Sequence, residues 1–287
     1  MNRQTDSGIR PDVSKLGRRP DVRIAQANWS DRRTVSVSTS IVIAVSALAV
    51  AEALARKGLI SSLILPAPSA VLESLWFELT EGLMLEHIRS TLGSALVGFL
   101  IAAVVAMTFG GILASVPFLE RVMIPFVVAL QSLPKVAVAP LIIIWLGFGD
   151  PSKTTIVVIT CFFPILVNSL QGFRLRDRDQ LELMLLLGAS RWQIFRYIRL
   201  PSALPHVFSG LHIGVIFAMI GAVVAEFISA DRGLGFALLA AQGRFDTAGV
   251  FAVLIVLMAI GMTLNAVMNL LEKRLTFWAR DMTSVEV

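Results

Sequence analysis

The chain has 287 residues, of which 56% are hydrophobic and 16% charged, with a mean hydropathy of +0.77 and a net charge of +5. Soluble domains carry about 25% charged residues, so this composition excludes an ordinary soluble enzyme and predicts a membrane protein that crosses the bilayer several times. One cysteine, Cys161, and three separated histidines rule out an internal disulfide and offer no recognisable metal motif.

Residues 1–36 hold eight Lys/Arg and four Asp. They contain no short apolar core followed by a small-residue cleavage site, so the expectation is a polar, basic cytoplasmic tail, partly disordered, with no secretory signal. The basic excess does not require nucleic acid, because cytoplasmic segments of membrane proteins gather Lys and Arg.

A crossing helix needs about 20 mostly apolar residues. Six candidates follow in order: Val37–Ala55, Thr91–Ser115, Val122–Leu146, Thr154–Phe173, His206–Ile228 and Gly249–Leu271. After the first, "LPAPSAVLESLWFELTEGLMLEHI" is too charged to cross; it predicts a short amphipathic surface helix with Ser69 as its cap. Glu52 can meet Arg56 one helical turn on, or reach interfacial water.

The second candidate carries Gly98, Ala102, Ala106 and Gly110 at four-residue spacing. On a helix these form one smooth stripe for close packing, either within the chain or between copies. The third is the least regular, with Pro125, Pro134 and Pro140 inside it. Proline at membrane depth frees backbone carbonyls and is tolerated where protein or water covers the break. Beside Pro134 stands Lys135, an ionisable residue within a span and hence a functional candidate. A fixed cation there suits a nitrate, sulfonate or carboxylate group; otherwise its stem snorkels to the surface or pairs with an acid.

Glu226, near the end of the fifth candidate, can bond to the turn Gly233–Gly235 or join a gate. His212 is expected as a packed, neutral histidine. Placing the N-terminus in the cytoplasm puts 18 Lys/Arg inside and six outside, with Lys135 in a span, so both termini are expected inside. The result is an all-α membrane protein of six transmembrane helices, with residues 37–275 as the membrane domain and 276–287 as a cytoplasmic C-terminal tail.

Between the fourth and fifth candidates lies "LELMLLLGASRWQIFRYIRLPSALP", Leu181 to Pro205. Its apolar run, Leu183 to Leu187, is too short to cross a bilayer. Gly188 permits a tight bend between two short helices. In the second, Ile194, Phe195 and Ile198 share a face, with Gln193, Arg196 and Arg199 opposite and Trp192 beside them. The greasy side is expected to turn toward the membrane domain, and Pro201 and Pro205 to stop the helix before the fifth span. A basic amphipathic element of this kind lies on anionic lipid or docks a cytoplasmic protein; its chemistry suits both.

Glu182, Gly188, Ile198, Leu200 and Pro201 resemble the signature of binding-protein-dependent ABC importer permeases: Glu-Ala-Ala, three residues, Gly, nine residues, Ile-x-Leu-Pro. Leu183 and Met184 replace the two alanines; the spacing is intact. "LPAPSAVLESLW", "LPKVAVAPLIIIWLGFGDPSK", "GASRWQIFRYIRLPSALPHVFSGL" and "VVAEFISADRGLGF" are similar, in order, to segments of the nitrate, sulfonate, taurine and bicarbonate importer permeases.

The resemblance implies a type I ABC importer permease in the bacterial cytoplasmic (inner) membrane. It implies a coupling loop over 174–205, with Ala189, Ser190, Arg191 and Trp192 at or near the ATPase contact alongside the signature residues. It further implies a second permease copy, two cytoplasmic ATPase subunits and an extracytoplasmic solute-binding protein. The chain has no G-x-x-x-x-G-K-[ST], so it is expected not to be an enzyme and to bind no cofactor, with ATP and Mg2+ on the partner ATPase. Lys135, Pro134, Pro140 and Glu226 are candidates for the translocation path. The expected solute is a small anion, sulfonate- or taurine-like first and nitrate second. The alternatives are an uncharged or aromatic solute or vitamin precursor, and, from another class, an ATPase-independent secondary carrier. A membrane enzyme finds no motif in its favour.

Overall fold

A computed structural model of the chain describes residues 29–174, 178–229 and 231–279; among these every regular element is helical. Most of the expected N-terminal tail, and the C-terminal tail from residue 280, lie outside the described residues. The chain divides into two compact units, Met1–Val50 and Ala51–Val287. In the first, helix α1 (Trp29–Arg56) begins at Trp29, and its apolar side chains Val42, Ile43, Val45, Leu48 and Val50 are exposed.

The second unit is built on α3 (Met84–Ser115), α6 (Asp150–Arg174) and α9 (Leu200–Ser229), which pack against one another. Small residues make the contact possible. Of the expected stripe, Ala102 and Ala106 are completely buried, and Gly98 and Gly110 are buried with them. The stripe faces α6 of the same chain: a Cβ on Gly98 would sit 2.6 Å from Val157 Cβ, and one on Gly110 would sit 3.2 Å from Ser169 Cβ. Hydrocarbon offers no hydrophobic drive to join helices, so close backbone approach and dense van der Waals contact hold them. Val157, Ile165, Leu166, Ala203 and Ala222 fill the shared core. The opposite faces carry exposed Leu100, Val104 and Ile216, as a lipid-covered surface requires.

Around this trio stand α2 (Pro68–Thr80), α10 (Leu234–Gly243) and α11 (Thr247–Leu275). α2 is the expected short amphipathic helix, but Ser69 is not its cap. Ala67 occupies that position without a side-chain bond, and Pro68 opens the helix, where its missing N–H costs nothing. Ser69 instead donates its hydroxyl to Glu52, 2.7 Å away, and its backbone N–H bonds the same carboxylate. Glu52 also pairs with Arg56, as the four-residue spacing predicts.

The expected third span is not one rod. α4 (Pro117–Gln131) and α5 (Lys135–Leu146) meet at 92°. Pro134 lacks an N–H and steers the preceding residue away from helical geometry, while its own backbone is extended. The Leu130 carbonyl, which the missing N–H of Pro134 leaves without its helical donor, accepts the Leu133 N–H at 3.3 Å, and the Ala137 N–H bonds the Pro134 carbonyl at 2.9 Å. Pro125 and Pro140 stay inside α4 and α5. α3, α6, the continuous run Arg191–Ser229 and α11 are each long and apolar enough to cross a membrane, and α4 with α5 would add a fifth crossing.

Candidate translocation path and coupling loop

The segment between α6 and α9 folds as α7 (Arg178–Leu186), a bend, and α8 (Arg191–Ile194) leading into a π-helical turn, Phe195–Arg199. Gly188 has φ +74°, and nothing lies within 4 Å of where a Cβ would stand. The left-handed backbone, not crowding, demands glycine here. Ser190 then caps α8 reciprocally with Gln193: the Gln193 N–H donates to Ser190 Oγ, and the Ser190 N–H donates to Gln193 Oε1 at 2.7 Å. Ser-x-x-Gln was a legible signal for this start, alongside the glycine.

Two expectations for this segment change. The apolar run does not turn inward: Leu183, Leu185, Leu186 and Leu187 are exposed, Leu186 at 86%, and so are Trp192 and Tyr197. The second helix grips the membrane domain through buried Ile194 and a stack in which Phe195 lies between Trp192 and Phe173 of α6. Pro201 and Pro205 do not stop the helix either. The Leu200 N–H reaches back five residues to the Phe195 carbonyl in a wider turn just before Pro201, and the helix continues through both prolines to Ser229. Glu182, Arg191 and Leu200 are exposed and Ala189, Ile198 and Pro201 half-buried, so the signature residues lie around the bend and its exit. Arg174, at the end of α6, pairs with Glu120 in the first turn of α4.

At the far end of α9 stands Glu226, 1% exposed. It accepts from the Gly235 N–H (2.8 Å) and from the Thr91 hydroxyl of α3 (2.8 Å). Thr91 Oγ1 in turn accepts the Leu234 N–H at 2.8 Å, and His87 Nδ1 accepts the Gly233 N–H at 3.0 Å. A helix start leaves donors without intrahelical partners, and here side chains from α3 and α9 serve those at the start of α10. Of the two roles open to Glu226, the structure places it on the glycine-rich turn.

Lys153, one of the six Lys/Arg expected on the outer side, is 1% exposed. Its ammonium meets Asp150 at 2.9 Å and Ser90 Oγ at 3.2 Å, and Arg232 lies 3.6 Å from Asp150. The Asp150-x-x-Lys153 spacing was the available signal. His212 is half-buried, with Nε2 2.9 Å from Glu272 and Nδ1 3.3 Å from Asn265, both on α11.

Lys135 opens α5 at the bend, half-buried, with its ammonium 3.5 Å from the Gln131 carbonyl and 5.9 Å from the centre of the Phe163 ring. Pro134 and Pro140 flank it in sequence, both exposed. The structure does not bring Lys135 and Glu226 together through any bond among the described residues; Glu226 is occupied at the start of α10.

The chain is similar to known proteins. The family described as binding-protein-dependent transport system inner membrane component matches residues 102–277. The riboflavin transport system permease protein RibX of Chloroflexus aurantiacus is 41% identical over 215 residues, 75% of this chain and 80% of that protein. The taurine transport system permease protein TauC of Escherichia coli is 33% identical over 253 residues, 85% of this chain and 90% of its own. Among solved structures, the MetNI methionine ABC transporter in an inward-facing conformation superposes with a TM-score of 0.61 at 18% identity, covering 69% of this chain and 99% of that one, which supports a common fold. The chain belongs to the family of inner-membrane components of binding-protein-dependent transport systems.

Proposed function

We propose that this chain is the permease subunit of an ATP-driven importer for a small anionic solute. It works with a second permease copy, two cytoplasmic ATPase subunits that hold ATP and Mg2+, and an extracytoplasmic solute-binding protein. Its six crossings comprise α1, α3, the bent α4–α5 pair, α6, α9 and α11, with both termini in the cytoplasm. The supporting observation is the knob formed by Leu183, Leu185, Leu186, Leu187 and Trp192. It is apolar and exposed, yet sits on a cation-bearing segment between α6 and α9. Exposed apolar clusters rimmed by polar residues mark contact with a partner. The knob continues directly into the rod ending at Ser229, about 58 Å for its 39 residues. When the ATPase subunits close, the knob is carried with them, and the rod tilts as a rigid body to open the path alternately to each side.

Gly188→Val tests the reading. A β-branched residue at φ +74° costs about 1–2 kcal/mol in backbone strain, and no neighbour is displaced. The variant is expected to insert into the membrane at normal level but to lose copurification with its ATPase. Undiminished copurification would refute the docking role.

A second reading, a permease for an uncharged aromatic solute or vitamin precursor, is favoured by the 41% identity to a riboflavin permease. Uptake measured with the cognate binding protein separates the two.

A further inference from the structure

The bend between α4 and α5 opens onto a cavity of about 290 Å3. Its walls are Leu130 and Leu133 from the bend, Val138 of α5, and Ile159, Phe162 and Phe163 of α6. Phe163 is the fourteenth of the 25 residues of α6, so the cavity lies halfway along a membrane-crossing helix. Its sole charged lining residue among those described is Lys135, which also begins a helix, where the backbone field favours an anion. No described acid faces that ammonium; its neighbours are the Gln131 carbonyl and the face of Phe163.

We propose that this cavity is a solute-recognition site for an amphiphilic organic monoanion: a single ring or short alkyl chain bearing one carboxylate or sulfonate that pairs with Lys135. The proposal rests on the permease reading and narrows it. The volume lies at the small end of ligand pockets, which suits a small solute. Apolar walls reward an apolar body and give nothing to nitrate, whose hydration would be lost without replacement. A zwitterion such as taurine would leave its ammonium in an apolar pocket with no acid to meet it. A neutral ring would leave the Lys135 ammonium uncompensated at membrane depth. A lipid chain would fill the walls with the same defect.

The test uses the transporter purified with its ATPase and reconstituted in lipid vesicles, with Val138→Cys as the reporter. Cys161 is completely buried, and the parent chain measures its background labelling. The probes are an anionic sulfonatoethyl thiosulfonate and its trimethylammonium counterpart, with benzenesulfonate, nitrate and taurine as competitors. The anionic reagent is expected to react faster than the cationic one, and Lys135→Gln is expected to remove about tenfold of that preference. Benzenesulfonate is expected to protect the cysteine only when Lys135 is present, and nitrate and taurine to protect it little. The site is overturned if the preference survives Lys135→Gln, if nitrate or taurine protects as well as benzenesulfonate, or if the cysteine is closed to both reagents because lipid or a second copy fills the cavity. Should Val138→Cys not assemble, Leu133→Cys reports on the same wall. A preparation that never retains an ATPase would refute the permease reading itself. An assembled transporter indifferent to benzenesulfonate refutes only this site.

Discussion

Glu226 is buried because a helix start needs it. The N–H groups of Leu234 and Gly235 are buried, and the Thr91–Glu226 pair accepts both. Removing a partner from a buried donor costs about 1–3 kcal/mol, more than a typical hydrogen bond contributes, because the abandoned group stays dry. Glu226→Ala is therefore expected to lower the thermal unfolding midpoint in detergent by several degrees, whereas Glu226→Gln, which keeps an acceptor for Gly235, is expected to lose less. Equal midpoints for Glu226→Ala and the parent chain would contradict the assignment. Lys153 belongs to the same scale. Its charge is acceptable at 1% exposure only because Asp150 and Ser90 meet it, and Lys153→Met is expected to be tolerated better than Asp150→Ala, which leaves the cation unpaired. Unfolding midpoints in the reverse order would count against that ion pair.

At the level of elements, the α3–α6 contact is set by what is missing from it. Gly98→Leu would drive a side chain into Val157 and the Thr154 carbonyl, with overpacking of about 1–3 kcal/mol or more and separation of the two helices. Loss of monodisperse protein on gel filtration is the expected result, and wild-type behaviour would show that the helices do not meet there. This stripe was legible in the sequence because four-residue spacing of Gly and Ala has one geometric meaning on a helix, although the facing partner could not be read from it. The bend at Pro134 was legible as an irregularity but not as a right angle, because proline removes a bond without dictating where the chain goes next. The passage through Pro201 was misread for the opposite reason. Proline rules describe α-helices, and the π turn that ends just before Pro201 has a different hydrogen-bond pattern. The outward leucines of α7 were misread because an amphipathic face shows that something covers it, not which molecule does. The bond of Glu226 to Gly235 spans nine positions and was legible, whereas the contacts of Thr91 with Glu226 and of His87 with Gly233 join residues more than 130 positions apart, a distance local patterns do not reach.

For the whole molecule, the proposed handle and the α10 anchor occupy opposite ends of one continuous helical run, Arg191 to Ser229. In the proposed mechanism, force applied at the knob would reach the far end of the packed trio, and Arg174–Glu120 ties α6 to the start of the bent pair that carries Lys135. Nothing in the chain hydrolyses a nucleotide on this reading; the work comes from subunits that grip the knob. Reconstitution in sealed vesicles tests this most directly: accumulation of the solute against its gradient is measured for the purified chain alone, and for the chain with its ATPase, binding protein, ATP and Mg2+. The account predicts accumulation only in the complete mixture, abolished by Gly188→Val. Uphill accumulation by the purified chain alone, driven by an ion gradient with no ATPase present, would contradict it.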